Sequence, residues 1–308
     1  MPVISTKTVF FRSVYMKILL RITLVFAAIV ICMVGVKIGY YRFTNKSGYA
    51  AVTVSANKVT AVPTTEYQTK PAVSTPTDAP DPLKIEAPER FVIYSAEEST
   101  GSPVGSTVEK PDLTDSVFIG DSVSLGFSRY CAKKGLMKDT TFLTVGSYSV
   151  AHALSTSTAD SKGFKHPMYQ GKETPVLNAI AEIKPKNVYF CLGINDIVDS
   201  GVEGTVKNYC KIINRVLEAS PDTKIYIVST TFLVDAAQKK NLNNLNLSNL
   251  NHNMKLLCLD YDKLEYIDIM SHLQDEKFAL KAEYCSDEYI HQTDSAYSVW
   301  AEMLGAIE

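Results

Sequence analysis

Two stretches decide the fold. They are Ser116-Val117-Phe118-Ile119, followed at once by Gly120-Asp121-Ser122, and Asn187-Val188-Tyr189-Phe190-Cys191-Leu192, followed by Gly193-Ile194-Asn195-Asp196. Both runs are rich in β-branched and aromatic residues and are apolar on both faces, as strands of a parallel sheet covered by helices on each side must be. Residues 142–145, 224–228 and 264–269 read the same way, and helical periodicity is predicted over 206–219, 249–261 and 294–307. Alternating β and α elements predict an α/β fold, a three-layer doubly wound sandwich with a mostly parallel five-stranded sheet, over residues 111–308. Sites in such folds form where loops leave the C-terminal ends of the strands, and both glycine-containing turns stand there.

The N-terminal third is of another kind. Residues 1–47 carry Lys7, Arg12, Lys17, Arg21, Lys37, Arg42 and Lys46 without an acid, and so hold +7; with a chain total of -2, the rest holds -9. An acidic body is a poor electrostatic match for nucleic acid, so no nucleic-acid partner is expected. Residues 18–40 are apolar apart from Arg21 and Lys37, and as a helix these 23 residues extend about 35 Å, enough to cross a bilayer. No small-residue cluster follows closely enough for signal cleavage. The expectation is therefore an uncleaved anchor in the cytoplasmic membrane, with residues 1–17 inside and the remainder outside. Residues 41–110 read as a Thr/Ser/Pro-rich extracellular linker; eight of the 13 prolines fall in residues 48–111, a composition that stays extended and solvated. Phe91-Val92-Ile93-Tyr94 interrupts it and reads as a short strand docking on the domain beyond.

Each candidate site motif has an ordinary structural explanation. Gly-Asp-Ser at 120–122 suits a nucleophile at the start of a helix, but Asp121 or Ser122 could equally be an N-cap. Ser124 stands where a Gly-x-Ser-x-Gly elbow would end in glycine, which disfavours a conventional α/β-hydrolase. Asn195 can aim a side-chain amide at a developing oxyanion, or simply form a turn with its neighbours. In Cys285-Ser286-Asp287-Glu288-Tyr289-Ile290-His291, an acid can hold the imidazole of His291 in one tautomer. His152, His166, His252 and His272 read as surface or structural histidines.

Taken together, Gly-Asp-Ser, Gly-x-Asn-Asp and Asp…His resemble, in order and spacing, the SGNH (GDSL-type) esterase and lipase family over most of residues 114–308. Their wording looks like esterases of Gram-positive bacteria. The resemblance implies a flavodoxin-like sandwich and a serine hydrolase: Ser122 as nucleophile, His291 as base and then acid, and Asp287 as the orienting acid. It implies an oxyanion hole made by the Ser122 amide, the Asn195 side chain and an amide of the loop Val145-Gly146-Ser147-Tyr148. Gly146 is the first choice for that amide, with Ser147 equally placed by alignment. The family spacing is Asp-x-x-His, whereas Asp287 lies four residues before His291 and Glu288 three, so either acid could serve.

No metal-ligand spacing and no phosphate loop are present, so no cofactor or metal is expected. Cys131, Cys191, Cys210, Cys258 and Cys285 do not form a disulfide pattern. The Leu/Asn run at 241–253 reads as a helix that buries leucines 242, 245 and 250. The functional expectation is a surface serine esterase acting on acyl esters, O-acetyl foremost, with acylated carbohydrate or a small ester as substrate. Alternatives are a lysophospholipase or thioesterase, a wall O-acetyltransferase with the same triad, and a non-catalytic wall-binding module with a degenerate triad.

Overall fold

A computed structural model describes residues 84–95, 104–157 and 163–307, all within one compact unit of the chain. The expected anchor at 18–40 lies outside these residues; among them, no helix is long and apolar enough to cross a membrane.

Five parallel strands form the main sheet in the order β2-β1-β5-β6-β7: β1 (Ser116–Gly120), β2 (Thr140–Thr144), β5 (Asn187–Cys191), β6 (Lys224–Val228) and β7 (Leu264–Ile267). A separate hairpin pairs β3 (Met168–Tyr169) with β4 (Lys172–Glu173). Every residue of β1 and β5 is buried, as their two-sided apolar sequences require. Helices α1 (Ser122–Lys134) and α7 (Asp294–Met303) pack together, while α2 (Val150–Ala153), α3 (Val176–Ile183) and α5 (Asn244–Leu259) gather on α4 (Ile197–Ala219). A last short helix, α6 (Met270–Leu273), follows β7. The predicted doubly wound α/β sandwich is the fold observed.

The boundaries differ where local chemistry overrode periodicity. Helix α4 begins at Ile197, not 206, because an interruption at Gly201 (φ 62°, ψ -176°) hides its first turn from a periodicity reading. Helix α5 begins at Asn244, capped by the side chain of Asn243, and its asparagines do more than face solvent. Asn249 accepts from the Tyr94 amide at 3.0 Å and donates to the Tyr94 carbonyl at 3.1 Å. Asn253 does the same to Val92, at 3.0 and 2.6 Å. Four residues of helix rise about 6 Å and two residues of extended chain about 6.7 Å, so asparagines at i and i+4 meet every second peptide of the segment. Residues 91–94 therefore dock as expected, but on helix side chains and not as a strand. Asn214 of α4 grips Ile85 in the same two-point way, at 2.8 Å each, and Ile85 is buried.

The linker reading thus fails for 84–94 and 104–110. Gly105 donates to Asp268 and Thr107 to the Tyr266 carbonyl, so these segments also belong to the folded body. Asparagines can replace a neighbouring strand, which composition does not reveal. A chain beginning at residue 111 should consequently be less stable than one beginning at 77. Exposing the surface that covers Ile85 costs about 2 kcal/mol, or roughly 4–8 °C of melting temperature for a domain of this size. Equal midpoints for the two chains would show that the docked segment contributes nothing.

Candidate active site

The sheet register sets Gly120 beside Thr144 on one side and Cys191 on the other, so the loops after β1, β2 and β5 leave the sheet at one level. Strand β1 is also where the winding reverses, with β2 on one flank and β5 to β7 on the other. This is the switch point at which doubly wound sheets open a crevice.

At the end of β1, a Cβ on Gly120 would lie 2.2 Å from Ser124 Cβ, so only glycine lets α1 start this close to the sheet. Asp121 is the N-cap, its Oδ1 accepting from the Val123 amide at 2.9 Å. The two readings of Gly-Asp-Ser are therefore shared between neighbours: Asp121 caps, and the hydroxyl of Ser122 is left for chemistry. The Ser122 amide, first in its helix, has no intrahelical acceptor.

His291 Nε2 lies 3.0 Å from Ser122 Oγ, and His291 Nδ1 bonds Asp287 Oδ2. With its Nδ1–H given to a carboxylate, the imidazole presents the Nε2 lone pair to the hydroxyl, the arrangement of a general base. The turn places the two acids differently. Asp287 holds the histidine, and Glu288 is exposed at φ 58°, the left-handed residue that absorbs the extra position in the spacing. Asp287 Oδ1 accepts from the amides of Tyr289, Ile290 and His291, each at 3.0 Å, and lies 3.5 Å from Cys285 Sγ. Burial pulls the Asp287 pKa upward, but the bonds from His291 and these amides outweigh it and hold the carboxyl at about 2.

Asn195 and Asp196, adjacent at the end of β5, face different ways. Asn195 Nδ2 lies 3.0 Å from the Tyr148 carbonyl and 3.3 Å from Asp121 Oδ2, on the crevice side. Asp196 turns back and accepts the Val150 and Ala151 amides at 2.9 and 3.1 Å, fixing the start of α2 and with it the loop after β2. Asp121 and Asp196 are both buried, and desolvation pushes each to about 6 against the amide bonds that favour the anion. Gly193 (φ 126°) is required by space: a Cβ would sit 2.7 Å from Leu250 and 2.8 Å from Thr230 Oγ1.

In the loop after β2, Gly146 and Ser147 are both exposed at the crevice. The left-handed residue is Ser147 (φ 57°), not Gly146, and a Cβ on Gly146 would meet nothing within 4 Å. The position whose backbone favours glycine is therefore 147.

A family model described as GDSL-like Lipase/Acylhydrolase matches residues 118–299. The chain belongs to this family. As a GDSL-like acylhydrolase it is a serine ester hydrolase of the SGNH type, and the matched span contains Ser122, Asn195 and His291. No curated protein matches the chain. Solved structures that it resembles include a Streptococcus pneumonia protein described as a platelet activating factor (20% identity over 65% of this chain and 84% of that one, TM-score 0.45). Others are a GDSL-like lipase of Bacteroides thetaiotaomicron (14%, 64% and 90%, TM-score 0.43) and a family 3 carbohydrate esterase of Talaromyces cellulolyticus (12%, 62% and 94%, TM-score 0.43). None of these scores reaches 0.5.

Sequence reasoning left four residues of this acylhydrolase without a role: Asp196, Tyr148, Ser149 and Cys285. Ser149 Oγ caps α2 by accepting from the His152 amide at 3.0 Å. A serine three residues before that amide was a legible signal; the Asp196 contact, across 45 residues, was not. Among the described residues, no group of His, Cys, Asp and Glu could hold a metal ion.

Proposed function

We propose that this acylhydrolase is a surface-tethered serine esterase that removes small acyl groups, O-acetyl foremost, from carbohydrate outside the cell. Ser122 attacks the ester carbonyl while His291 takes its proton; His291 then returns the proton to the leaving alcohol, and a second cycle with water frees the acid. Asp287 holds the imidazole and stabilises its charged form. The Ser122 amide, the Ser147 amide and Asn195 Nδ2 receive the oxyanion. Of the two Asn195 hydrogens, the one making the longer contact with Asp121 is the one available to it.

The observation that carries this reading is His291 bridging Ser122 and Asp287. It also removes the ground for a non-catalytic wall-binding module, which rested on a displaced acid. The preference for a bulky acceptor draws on exposure: Ser122, Asn195 and His291 are half-buried and the loops around them are open to solvent, so the acyl-bearing end of a large polymer could reach them. Anchoring in the cytoplasmic membrane through residues 18–40 is part of the proposal and rests on sequence. Hydrolysis of p-nitrophenyl acetate, compared with the octanoate, tests the acyl preference. A kcat/KM at least about tenfold higher for acetate is expected, since each methylene that a pocket must accommodate is worth about 1–3 kcal/mol. A preference for octanoate would point to the lysophospholipase reading and overturn this one.

A further inference from the structure

The tip of the loop after β2 has a lateral tie, a hydrogen bond between the Ser147 backbone and His152. Gly146 and Ser147 are exposed, and a Cβ on Gly146 would meet nothing within 4 Å, yet the proposed chemistry needs an amide here held within a fraction of an ångström. Much of its geometry therefore comes from its two ends. On one side the Val145 amide is bonded to the Gly120 carbonyl at 3.2 Å. On the other stands Tyr148, fully buried, whose carbonyl is the acceptor for Asn195 Nδ2.

The Tyr148 ring is bolted at its far end. Its hydroxyl lies 2.9 Å from His166 Nδ1, and His166 is itself buried. His166 Nε2 faces the Ser157 carbonyl at 3.0 Å, and the His166 amide donates to Glu173 Oε1 at 2.8 Å. A carbonyl can only accept, so Nε2 carries the proton, Nδ1 is the acceptor and the tyrosine hydroxyl donates to it. The imidazole thus has one fixed tautomer and one fixed orientation. Through it, Ser157 and Glu173 of β4 are tied to the residue that carries both the Ser147 junction and the Asn195 acceptor.

We propose that Tyr148 and His166 are positioning residues of the oxyanion hole. They act through the backbone of the loop on two donors at once, the Ser147 amide and Asn195 Nδ2, and touch neither substrate nor Ser122. This rests on the assignment of those donors made above. Because the donors strengthen in the transition state, loosening them lowers kcat and spares substrate affinity.

The test uses the full-length chain in detergent, with p-nitrophenyl acetate and the Ser122→Ala protein as background. Tyr148→Phe keeps the ring and deletes only the hydroxyl. A fall in kcat of about 5- to 30-fold with KM within about twofold is expected. His166→Leu should match it, and His166→Asn, whose side-chain oxygen can take the place of Nδ1, should recover part of the loss. On an Asn195→Ala background the Tyr148→Phe effect should shrink, as coupled groups are non-additive. A purely structural role would lower the melting temperature and leave this coupling at zero. Wild-type kcat in Tyr148→Phe, or a full undiminished loss on the Asn195→Ala background, overturns the proposal. Wild-type activity in Ser122→Ala would instead overturn the reading of the site itself.

Discussion

Ser122→Ala is expected to leave no measurable ester turnover while the domain still folds. The hydroxyl is 3.0 Å from His291 Nε2, its proposed base, and among the described residues no other hydroxyl is bonded to His291. Removing the nucleophile of such a triad lowers kcat by about 10⁶-fold, whatever else remains in place. The substitution costs little stability, since Ser122 stands at the first turn of α1 and the cap belongs to Asp121. Asn195→Ala takes away one oxyanion donor and should lower kcat by about 10²–10³-fold. The two proteins are separated by their rates with p-nitrophenyl acetate at matched folded fraction, read by circular dichroism. Turnover in Ser122→Ala near that of the parent would end the serine mechanism. An unchanged rate in Asn195→Ala would remove that side chain from the oxyanion hole and leave the rest standing.

How much of this site could be read in the sequence depends on how local each device is. The strands of the sheet are self-declaring because burial on both faces writes an uninterrupted apolar run, as in 187–191. Ser122, Asn195 and His291 each follow a strand or lead into a helix with few alternatives nearby, and the structure gathers them at one switch point. The Asp287 and Glu288 ambiguity was irreducible, because it turns on whether one residue adopts a left-handed conformation, a choice that only the closed turn enforces. Ser147 against Gly146 is the same kind of question, and there the residue type misleads: a serine occupies the conformation that favours glycine. What stayed invisible were contacts of long separation between residues with no pattern. Asp196 on Val150, Tyr148 on His166 and the asparagines on Ile85, Val92 and Tyr94 are of that kind. The asparagine run shows the limit well. Its leucines predicted a helix, but nothing in the composition said that its amides would stand in for a strand.

Asp287→Asn is expected to lower kcat by about 10³–10⁴-fold, while Glu288→Gln stays within about twofold of the parent. The asparagine keeps an oxygen for the amides of Tyr289, Ile290 and His291, so the turn survives. Its NH₂, however, would face His291 Nδ1, which must then accept and leave the proton on Nε2. An imidazole protonated on Nε2 cannot take the proton of Ser122, so geometry is kept and the base is lost. Glu288 makes no bond to the imidazole, and its exposed side chain has nothing of the kind to lose. The same carboxylate sets a pH signature. Because the Asp287 pKa is depressed from 3.8 to about 2 in the fold, its contribution to stability is fully present above about pH 4 and disappears as the pH falls through 2. The parent should therefore lose melting temperature over that acid window and Asp287→Asn should lose less of it. Comparable losses in the two proteins would assign the acid sensitivity to other carboxylates, and near-parental activity in Asp287→Asn would take Asp287 out of the triad.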